Sequence, residues 1–401
     1  MKILQLCHKP PKPSIDGGCI AMNNITEGLL KNKCKVKVLT IGTQKHPLKF
    51  EELHENYRER TNIEGVFVDT KLNLVDAFSN LVTSDSYNIS RFFSPDFDSL
   101  LIQTLKDHTF DVVHLESLFM TPYIDTIRRC CDSRIILRSH NLEYMIWEKL
   151  ARKTINPAKK IYLNILSKQL KDYEINILNK IDGIAAISLA DQLKYENLGC
   201  EKPILTAPFG IDIKKYNFQQ KNIHSNQLNF FHLGSMDWKP NLEAVSWLTN
   251  EIWPELQNNF SNIHLHIAGR KMPSWIIDEK MEGVTNHGEV ESANEFMNNN
   301  DIMLVPLLSA GGMRVKIIEG MALGKTVIST KIGAEGINYK DGENILIANT
   351  IDEYKQIIKM LIEHPQMINS IGEKARDFVS NYYDNKIITK NLIEFYKEVS
   401  A

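Results

Sequence analysis

Short runs of apolar residues recur along this chain of 401 residues, and helix-like segments separate them. Such runs suit strands that are buried on both faces of a parallel sheet. The first series lies at residues 3–7, 36–41, 112–115, 135–137 and 184–187. The second lies at residues 228–233, 263–268, 302–305, 327–329 and 345–347. Two series of alternating strands and helices predict an α/β protein with two doubly wound domains.

The segments between these runs have helical periodicity. In the first series they are 20–30, 98–106 and a long charged stretch, 141–180, which Pro157 is expected to interrupt. In the second they are 242–256, 313–323, 351–362 and 386–399. Ser188 and Asp191 are spaced like a capping box and predict another helix start.

The polar stretch from Lys214 to Asn229 separates the two series and is the best linker candidate. We therefore expect Rossmann-like domains at 1–213 and 214–382, and a final helix at 383–401 that packs back on the N-terminal domain. Ligands of open α/β sheets bind beyond the carboxyl ends of the strands. Two such domains facing each other would hold a ligand in the cleft between them.

The composition is that of a globular protein, with 43% hydrophobic and 24% charged residues. A formal net charge of −2 gives no support for nucleic-acid binding, which usually accompanies a basic surplus. The six cysteines include no CxxC pair, so we expect reduced thiols and a cytoplasmic setting. The N-terminus does not resemble a signal peptide, and no window approaches the ~20 apolar residues of a membrane-spanning helix.

The segment from 309 to 337 gives the strongest indication of function. Its key residues are Gly311, Gly312, Arg314, Lys316 and Glu319. The glycine loop is expected to open a helix, where free backbone N–H groups and the helix dipole favour negative charge. The two cations would then neutralise a phosphate or diphosphate, and Glu319 could accept hydrogen bonds from ribose hydroxyls.

A structural alternative is a surface helix with a Lys316–Glu319 ion pair, which would contribute only ~0.2–0.5 kcal/mol. Cations in the first turn oppose the helix dipole, and a glycine doublet carries an entropic cost. Both observations favour the phosphate interpretation.

Three other segments follow predicted strands, and each has a functional and a structural interpretation. His232–Asn241, with the cation Lys239, is either a phosphate loop or an ordinary connection. Gly17 and Gly18 either let a ligand approach the backbone or form a tight turn. In the functional interpretation, His140 contacts a sugar hydroxyl or transfers a proton; in the structural one, it caps the following helix.

Several common motifs are absent from the sequence. There is no HExxH and no Cys/His cluster, so neither a metal nor a cofactor is implied. The absence of GxSxG disfavours a serine hydrolase, and the absence of GxGxxG after the first strand disfavours a dinucleotide-dependent dehydrogenase.

Taken in order, these segments resemble the family 4 (group 1) glycosyltransferases, which have the GT-B fold. The matching segments of the second half are Pro208–Asp212, Phe231–Asn241, Gly269–Arg270, Gly288 and Met313–Val327. In the first half, the matching residues are His140, Asn141, Glu143, Glu174, Ser188 and Asp191.

The resemblance implies roles for individual residues. Donor binding would involve Gly17, Gly18, Gly234, Ser235, Arg270, Gly288, Gly311, Gly312, Met313 and Glu319. Catalytic roles would fall to Lys239, Arg314, Lys316 and His140. The family also implies that the reaction needs no metal ion and no cofactor besides the nucleotide sugar.

The chain departs from the family pattern at two places. Members usually carry two glutamates eight positions apart; Glu319 matches the second, which binds the ribose, but Gly311 stands at the first. Ser235 stands near the usual arginine of the first phosphate loop. We infer that Arg314 and Lys316 supply part of the missing positive charge.

The implied function is transfer of a sugar, with retention, from a nucleotide-diphosphate sugar to an acceptor hydroxyl in polysaccharide or glycoconjugate synthesis. The alternatives are a sugar-nucleotide epimerase or phosphorylase of the same architecture, or a non-catalytic GT-B subunit. The acceptor would be a glycan or a lipid-linked molecule. A basic region is either a face for anionic lipids at the inner side of the membrane or an ordinary solvated helix surface; it contains Arg152, Lys153, Lys159, Lys160, Lys168 and Lys171.

Overall fold

A computed structural model describes residues 1–70, 87–218, 227–277, 281–309 and 313–401. The chain folds into two compact units. The first comprises Met1–Gly210 together with Asn385–Ala401, and the second is Ile211–Asp384. Residues 219–226 of the expected linker, together with Gly311 and Gly312 of the expected donor loop, lie outside the described residues.

Seven parallel strands form the sheet of the first unit, in the order β3-β2-β1-β4-β5-β6-β7. They are β1 Lys2–Cys7, β2 Lys35–Gly42, β3 Glu64–Phe67, β4 Val112–Glu116, β5 Arg134–Ser139, β6 Gly183–Ala186 and β7 Ile204–Thr206. The described α-helices are Gly17–Lys31, Glu55–Thr61, Tyr87–Ser90, Pro95–Asp107, Ile124–Cys130, Glu143–Lys153, Pro157–Leu178, Leu189–Asn197 and Asn385–Ser400. Short 3₁₀ helices lie at Phe50–Glu52 and Leu118–Tyr123.

The C-terminal helix, Asn385–Ser400, covers part of one face of this sheet. Because successive strand residues point to opposite faces, Ile3 and Ile136 belong to one core and their neighbours to another. Leu392 and Phe395 of the C-terminal helix are buried in the same core as Ile3 and Ile136. The chain therefore returns to the first unit after completing the second, and its last helix is part of the first unit's core.

Six parallel strands form the sheet of the second unit, in the order β10-β9-β8-β11-β12-β13. They are β8 Leu228–Leu233, β9 Ile263–Ala268, β10 Val284–Gly288, β11 Ile302–Val305, β12 Thr326–Ser329 and β13 Leu346–Ile347. The described helices are Lys239–Trp247, Trp253–Asn259, Ser274–Ile277, Ala293–Asn299, Val315–Ala322, Ile351–Glu363 and Gln366–Tyr382. A π-helical turn, Leu248–Ile252, joins the first two, and Ile213–Lys215 is a 3₁₀ turn.

The predicted α/β class and the strands at all ten apolar runs are confirmed. The pattern missed β3, β7 and β10, which are short and incompletely buried, so they lack a continuous apolar run. Pro157 separates two helices as expected, because it is tolerated at the first position of the second one.

One predicted helix begins later than expected. The helix predicted at 313–323 is Val315–Ala322, and Arg314 is its N-cap residue with an extended backbone. In the described part of the chain, no helix combines the length and apolar character that crossing a membrane requires.

Candidate functional site

In the second unit, the loops that follow β8 and β9 are joined by backbone hydrogen bonds. The Gly234 N–H donates to Ala268 O at 3.1 Å, and the Met236 N–H donates to Arg270 O at 2.9 Å. A Cβ atom on Gly269 would lie 1.8 Å from Gly234 O, so only glycine allows this approach. The loop after β8 therefore has a fixed backbone at the carboxyl edge of the sheet, where ligands of such folds bind.

Lys316 extends from its helix to this loop. Its Nζ donates to Leu233 O at 3.0 Å and to Asn241 Oδ1 at 2.9 Å. Burial, with the neighbouring charge of Arg314, lowers the pKa of Lys316 to about 7. The ion pair with Glu319 that the structural alternative requires is not formed, so Lys316 is held at the loop instead.

Arg314 lies just before the same helix and is buried. Its guanidinium carbon is 5.5 Å from the ring centre of Trp238, and burial lowers its pKa to about 10. Arg314 thus remains charged at neutral pH. The N-terminus of Val315–Ala322 carries two basic side chains, buried Arg314 and partly buried Lys316, and no acidic residue in its first turn.

Glu319 lies one turn further along this helix. It accepts a hydrogen bond from Tyr216 Oη at 2.8 Å, and burial raises its pKa. A carboxylate in this position retains lone pairs for further donors such as hydroxyl groups.

The other donor-site candidates of this unit differ in setting. Gly288 has φ +65, a conformation that favours glycine, and a Cβ there would meet nothing within 4 Å. Met313 is buried, and Ser235 Oγ donates to Asp237 at 2.6 Å. The side chain of Lys239 is 85% exposed, with its Nζ 3.7 Å from Glu243, and Arg270 is also exposed.

His232 is a residue of this region to which the sequence pattern gave no role of its own. It is fully buried at the end of β8, and its Nδ1 lies 2.9 Å from Leu304 O. Its Nε2 is buried and has no hydrogen-bond partner among the described residues. Burial lowers its pKa to about 3, so His232 is neutral and Nε2 is an acceptor.

In the first unit, Gly17 and Gly18 begin a helix rather than forming an isolated turn. Asp16 is the N-cap and accepts from the Cys19 N–H at 2.9 Å. A Cβ on Gly17 would meet nothing within 4 Å, and its φ is not positive. The fold itself does not require glycine at position 17.

Asp16, Cys19 and His46 have ligand atoms within 4.8 Å of one another and form a candidate metal group among the described residues. Lys9 Nζ, however, lies 2.8 Å from both carboxylate oxygens of Asp16, and His46 Nε2 lies 2.9 Å from one of them. A bound divalent cation would have to displace the ammonium group, so these residues do not fit a metal site.

His140 follows β5, and its Nε2 lies 2.7 Å from Glu116 Oε2. The capping interpretation is not supported, because the next helix begins at Glu143 after Leu142, without a side-chain cap bond from the N-cap residue. Glu174 instead accepts the backbone N–H of Glu143, at 2.9 Å. His140 therefore has no capping role. It belongs to a polar cluster with Glu116 and Arg138.

Glu116 is the residue that sequence reasoning missed in this cluster. It is fully buried at the end of β4 and pairs with Arg138 at 3.2 Å. The alternation His114-Leu115-Glu116 was a local signal, since it places two polar side chains on one face of a predicted buried strand. Their partners come from distant segments, which the pattern alone does not identify.

Comparisons with known proteins bear on the family and the fold of this chain. Residues 227–364, about a third of the chain, match the model of the family described as Glycosyl transferases group 1. The chain is 25% identical over 271 residues to a 44.6 kDa protein in the cps region of Klebsiella pneumoniae, a match that covers 65% of this chain and 67% of that protein.

Two solved structures share the fold over nearly the whole chain. Sucrose-phosphate synthase from Thermosynechococcus elongatus matches with a TM-score of 0.70 at 14% identity, covering 100% of this chain and 99% of that one. Anabaena Alr3699/HepE in complex with UDP and glucose matches with a TM-score of 0.63 at 15% identity, covering 99% and 100%. The chain has the GT-B fold, and residues 227–364 of its second unit are similar to the group 1 glycosyltransferases.

Proposed function

We propose that this protein transfers a sugar, with retention of anomeric configuration and without a metal ion, from a nucleoside-diphosphate sugar to an acceptor hydroxyl. The observation that carries the proposal is the pair of basic side chains, buried Arg314 and partly buried Lys316, at the N-terminus of the helix Val315–Ala322. Helix N–H groups and two basic side chains held in place form an anion site suited to a diphosphate.

The donor would use the second unit. Its diphosphate would lie against Lys316, Arg314 and the loop at Gly234, and its ribose hydroxyls would donate to Glu319. The similarity to Anabaena Alr3699/HepE, whose structure contains UDP and glucose, supports a uridine nucleotide as the first donor class to test.

In the proposed reaction, the bond between the anomeric carbon and the diphosphate oxygen breaks. The acceptor oxygen bonds to that carbon on the same face, and the acceptor proton passes to the departing diphosphate. The protein's contribution is to stabilise the leaving charge with groups already in place. His140 is proposed to position the sugar, and no side chain is required as a general base.

We propose polysaccharide or glycoconjugate synthesis as the process served, supported by the similarity to the protein in the cps region. The acceptor proposal includes a lipid-linked molecule at an anionic membrane surface. The helices Glu143–Lys153 and Pro157–Leu178 and the loop between them expose apolar side chains among their cations; these are Ile146, Leu150, Ile155, Ile161 and Ile165. Ile155 is 98% exposed and Ile161 is 62% exposed, so neither contributes substantially to the core.

The diphosphate assignment is tested with Lys316→Ala. We expect kcat for release of the nucleoside diphosphate to fall about 10²-fold, because a fixed cation is lost from the leaving group. Lys359→Ala is the matched control, since Lys359 is an exposed cation of the same unit. Activity of Lys316→Ala within about threefold of wild type, roughly 0.7 kcal/mol, would contradict the assignment.

Two measurements separate the alternatives. Incubation of the donor without acceptor should give at most slow hydrolysis, whereas an epimerase would convert the sugar nucleotide. Calorimetry with UDP, GDP and ADP addresses the non-catalytic alternative, because a subunit that only binds a partner protein needs none of them.

The membrane proposal is tested by co-sedimentation with phosphatidylcholine vesicles, with and without phosphatidylglycerol. We expect binding only to the anionic vesicles, and we expect Ile155→Ser/Ile161→Ser to weaken it severalfold. Ile277→Ser, at an exposed isoleucine of the second unit, is the control. Equal binding to both vesicle types, or no binding, would remove the membrane from the proposal.

A further inference from the structure

A chain of buried hydrogen bonds connects the C-terminal helix to His140. Tyr396 Oη lies 2.5 Å from His114 Nδ1, and His114 Nε2 lies 3.1 Å from Glu116 Oε1. Glu116 Oε2 lies 2.7 Å from His140 Nε2. Tyr396, His114 and Glu116 are fully buried, so water does not compete for these bonds.

We infer that Glu116 is a positioning residue that, supported by His114 and Tyr396, holds His140 in the tautomer whose Nδ1 accepts a hydrogen bond. The inference deepens the proposed function and rests on it for the role of His140 at the sugar. Neither the sequence pattern nor the comparisons assigns a role to Glu116, His114 or Tyr396.

The Glu116 carboxylate accepts from four side chains. Its partners are Gln5 Nε2 at 2.9 Å, His114 Nε2 at 3.1 Å, Arg138 Nη1 at 3.2 Å and His140 Nε2 at 2.7 Å. Burial opposes ionisation, but the charge of Arg138 and the donated hydrogen bonds hold the pKa of Glu116 well below its usual range. Glu116 is therefore an anion that only accepts.

This fixes both histidine tautomers. Because Glu116 only accepts, Nε2 of His114 and Nε2 of His140 must each carry a proton. Nδ1 of His114 is then an acceptor, which the Tyr396 hydroxyl satisfies by donating. Every group in this series of hydrogen bonds has one consistent role, so the tautomer of His140 is set by fully buried residues.

Burial favours the neutral form of His140. Arg138 balances Glu116, and the other titratable groups facing His140 are Lys9 and His8, whose ring centre is 5.7 Å away. Burial lowers the pKa of His140, opposed by Glu116 and reinforced by Arg138 and Lys9. With Nε2 occupied, Nδ1 has no hydrogen-bond partner among the described residues and can accept from a sugar hydroxyl.

Nitrogen-15 NMR of the histidine rings in the full-length protein tests the assignment without any substrate. We expect wild-type His140 to carry its proton on Nε2. In Glu116→Leu/Arg138→Met, the buried ion pair is replaced by apolar side chains of similar size, a change often tolerated by the fold. We expect His140 to lose its single tautomer in this variant, and kcat to fall about tenfold or more while UDP affinity is unchanged.

If the double variant does not fold, Tyr396→Phe tests the same hydrogen bonds at the end furthest from His140. We expect His114 to keep its proton on Nε2, the nitrogen-15 signal of its Nδ1 to shift because that atom loses its donor, and kcat to fall severalfold. Tyr123→Phe is the matched control, because it removes a buried hydroxyl that donates to Phe92 O and takes no part in the hydrogen bonds between Tyr396 and His140.

A wild-type His140 protonated on Nδ1 would overturn the inference. So would a folded double variant with an unchanged tautomer and kcat, or a Tyr396→Phe protein that matches Tyr123→Phe in the His114 Nδ1 signal and in activity. If the wild type transfers no sugar from any donor, the proposed function fails, while the NMR result still decides the tautomer assignment.

Discussion

At the scale of single residues, burial determines which side chains are charged and which only accept hydrogen bonds. Lys316 and His232 lie at the same loop of the second unit, and burial favours the neutral form of both. A bound diphosphate would change this balance only at Lys316, because the pKa of His232 is about 3. The protonation of Lys316 should therefore be linked to ligand binding.

We predict that UDP binding takes up a proton between pH 7 and pH 9. The pKa of free Lys316 is about 7, so Lys316 is largely neutral above that pH and must gain a proton beside the diphosphate. Affinity should fall as the pH rises, by up to about tenfold per unit. Arg314, with a pKa of about 10, remains charged over this range.

Calorimetry in buffers of different ionisation enthalpy measures the proton uptake directly. Lys316→Met should bind UDP more weakly and show little pH dependence from 7 to 9. A wild-type affinity that stays constant over this range would show that Lys316 does not gain a proton at the diphosphate.

At the scale of elements, the fold depends on close contacts between helices that glycine permits. The helix Gly17–Lys31 approaches the C-terminal helix at Gly28. A Cβ on Gly28 would lie 2.1 Å from Thr389 Oγ1 and 3.0 Å from its two side-chain carbons. Thr389 is fully buried and donates to Asn385 O, so it cannot rotate away freely. This contact fixes the helix that carries Tyr396.

We predict that Gly28→Ala lowers the free energy of unfolding by about 1–2 kcal/mol, since the cost of overpacking exceeds the gain in helix propensity. Urea denaturation measures the change. Gly17→Ala is the stability control and should stay within about 0.5 kcal/mol, because its Cβ meets open space. Thr389→Ala combined with Gly28→Ala should recover part of the loss; no recovery would mean that another contact is responsible.

At the scale of the whole molecule, the second unit is formed by one continuous segment of the chain and the first unit by two. The core of the second unit comes from a single segment, Leu228 to Ile371. The first unit needs the C-terminal helix, whose Ile388, Leu392 and Phe395 are buried in its core. Burying each such side chain contributes about 1.5–3 kcal/mol, a large share of the stability of a typical domain.

We predict that residues 211–384 fold as an isolated fragment, whereas residues 1–210 do not. Adding residues 385–401 through a flexible linker to the fragment of residues 1–210 should restore a folded first unit. Dispersion of the amide NMR signals and cooperative thermal unfolding measure both outcomes. A fragment of residues 1–210 that folds alone would show that the C-terminal helix is dispensable for this core.

Candidate site residues could be named from the sequence, but their contacts could not. The loop before Arg314 and the region around His140 are marked by small or polar residues after apolar runs, a local pattern. The partners of Lys316, by contrast, are Leu233 and Asn241, 83 and 75 residues earlier in the chain. Glu319 was assigned to a ribose, and its bond to Tyr216 spans 103 residues.

The two βα series, the strands at their apolar runs and the break at Pro157 follow from local sequence, because strand burial and proline geometry act over a few neighbouring residues. Long-range packing, by contrast, brings Glu116 to His140 and joins it through His114 to Tyr396, which lies 280 residues after Glu116. It also decided that Lys316 lies at the loop after β8 instead of pairing with Glu319. Burial and hydrogen-bond satisfaction depend on which distant segments pack together, and that information is absent from local spacing.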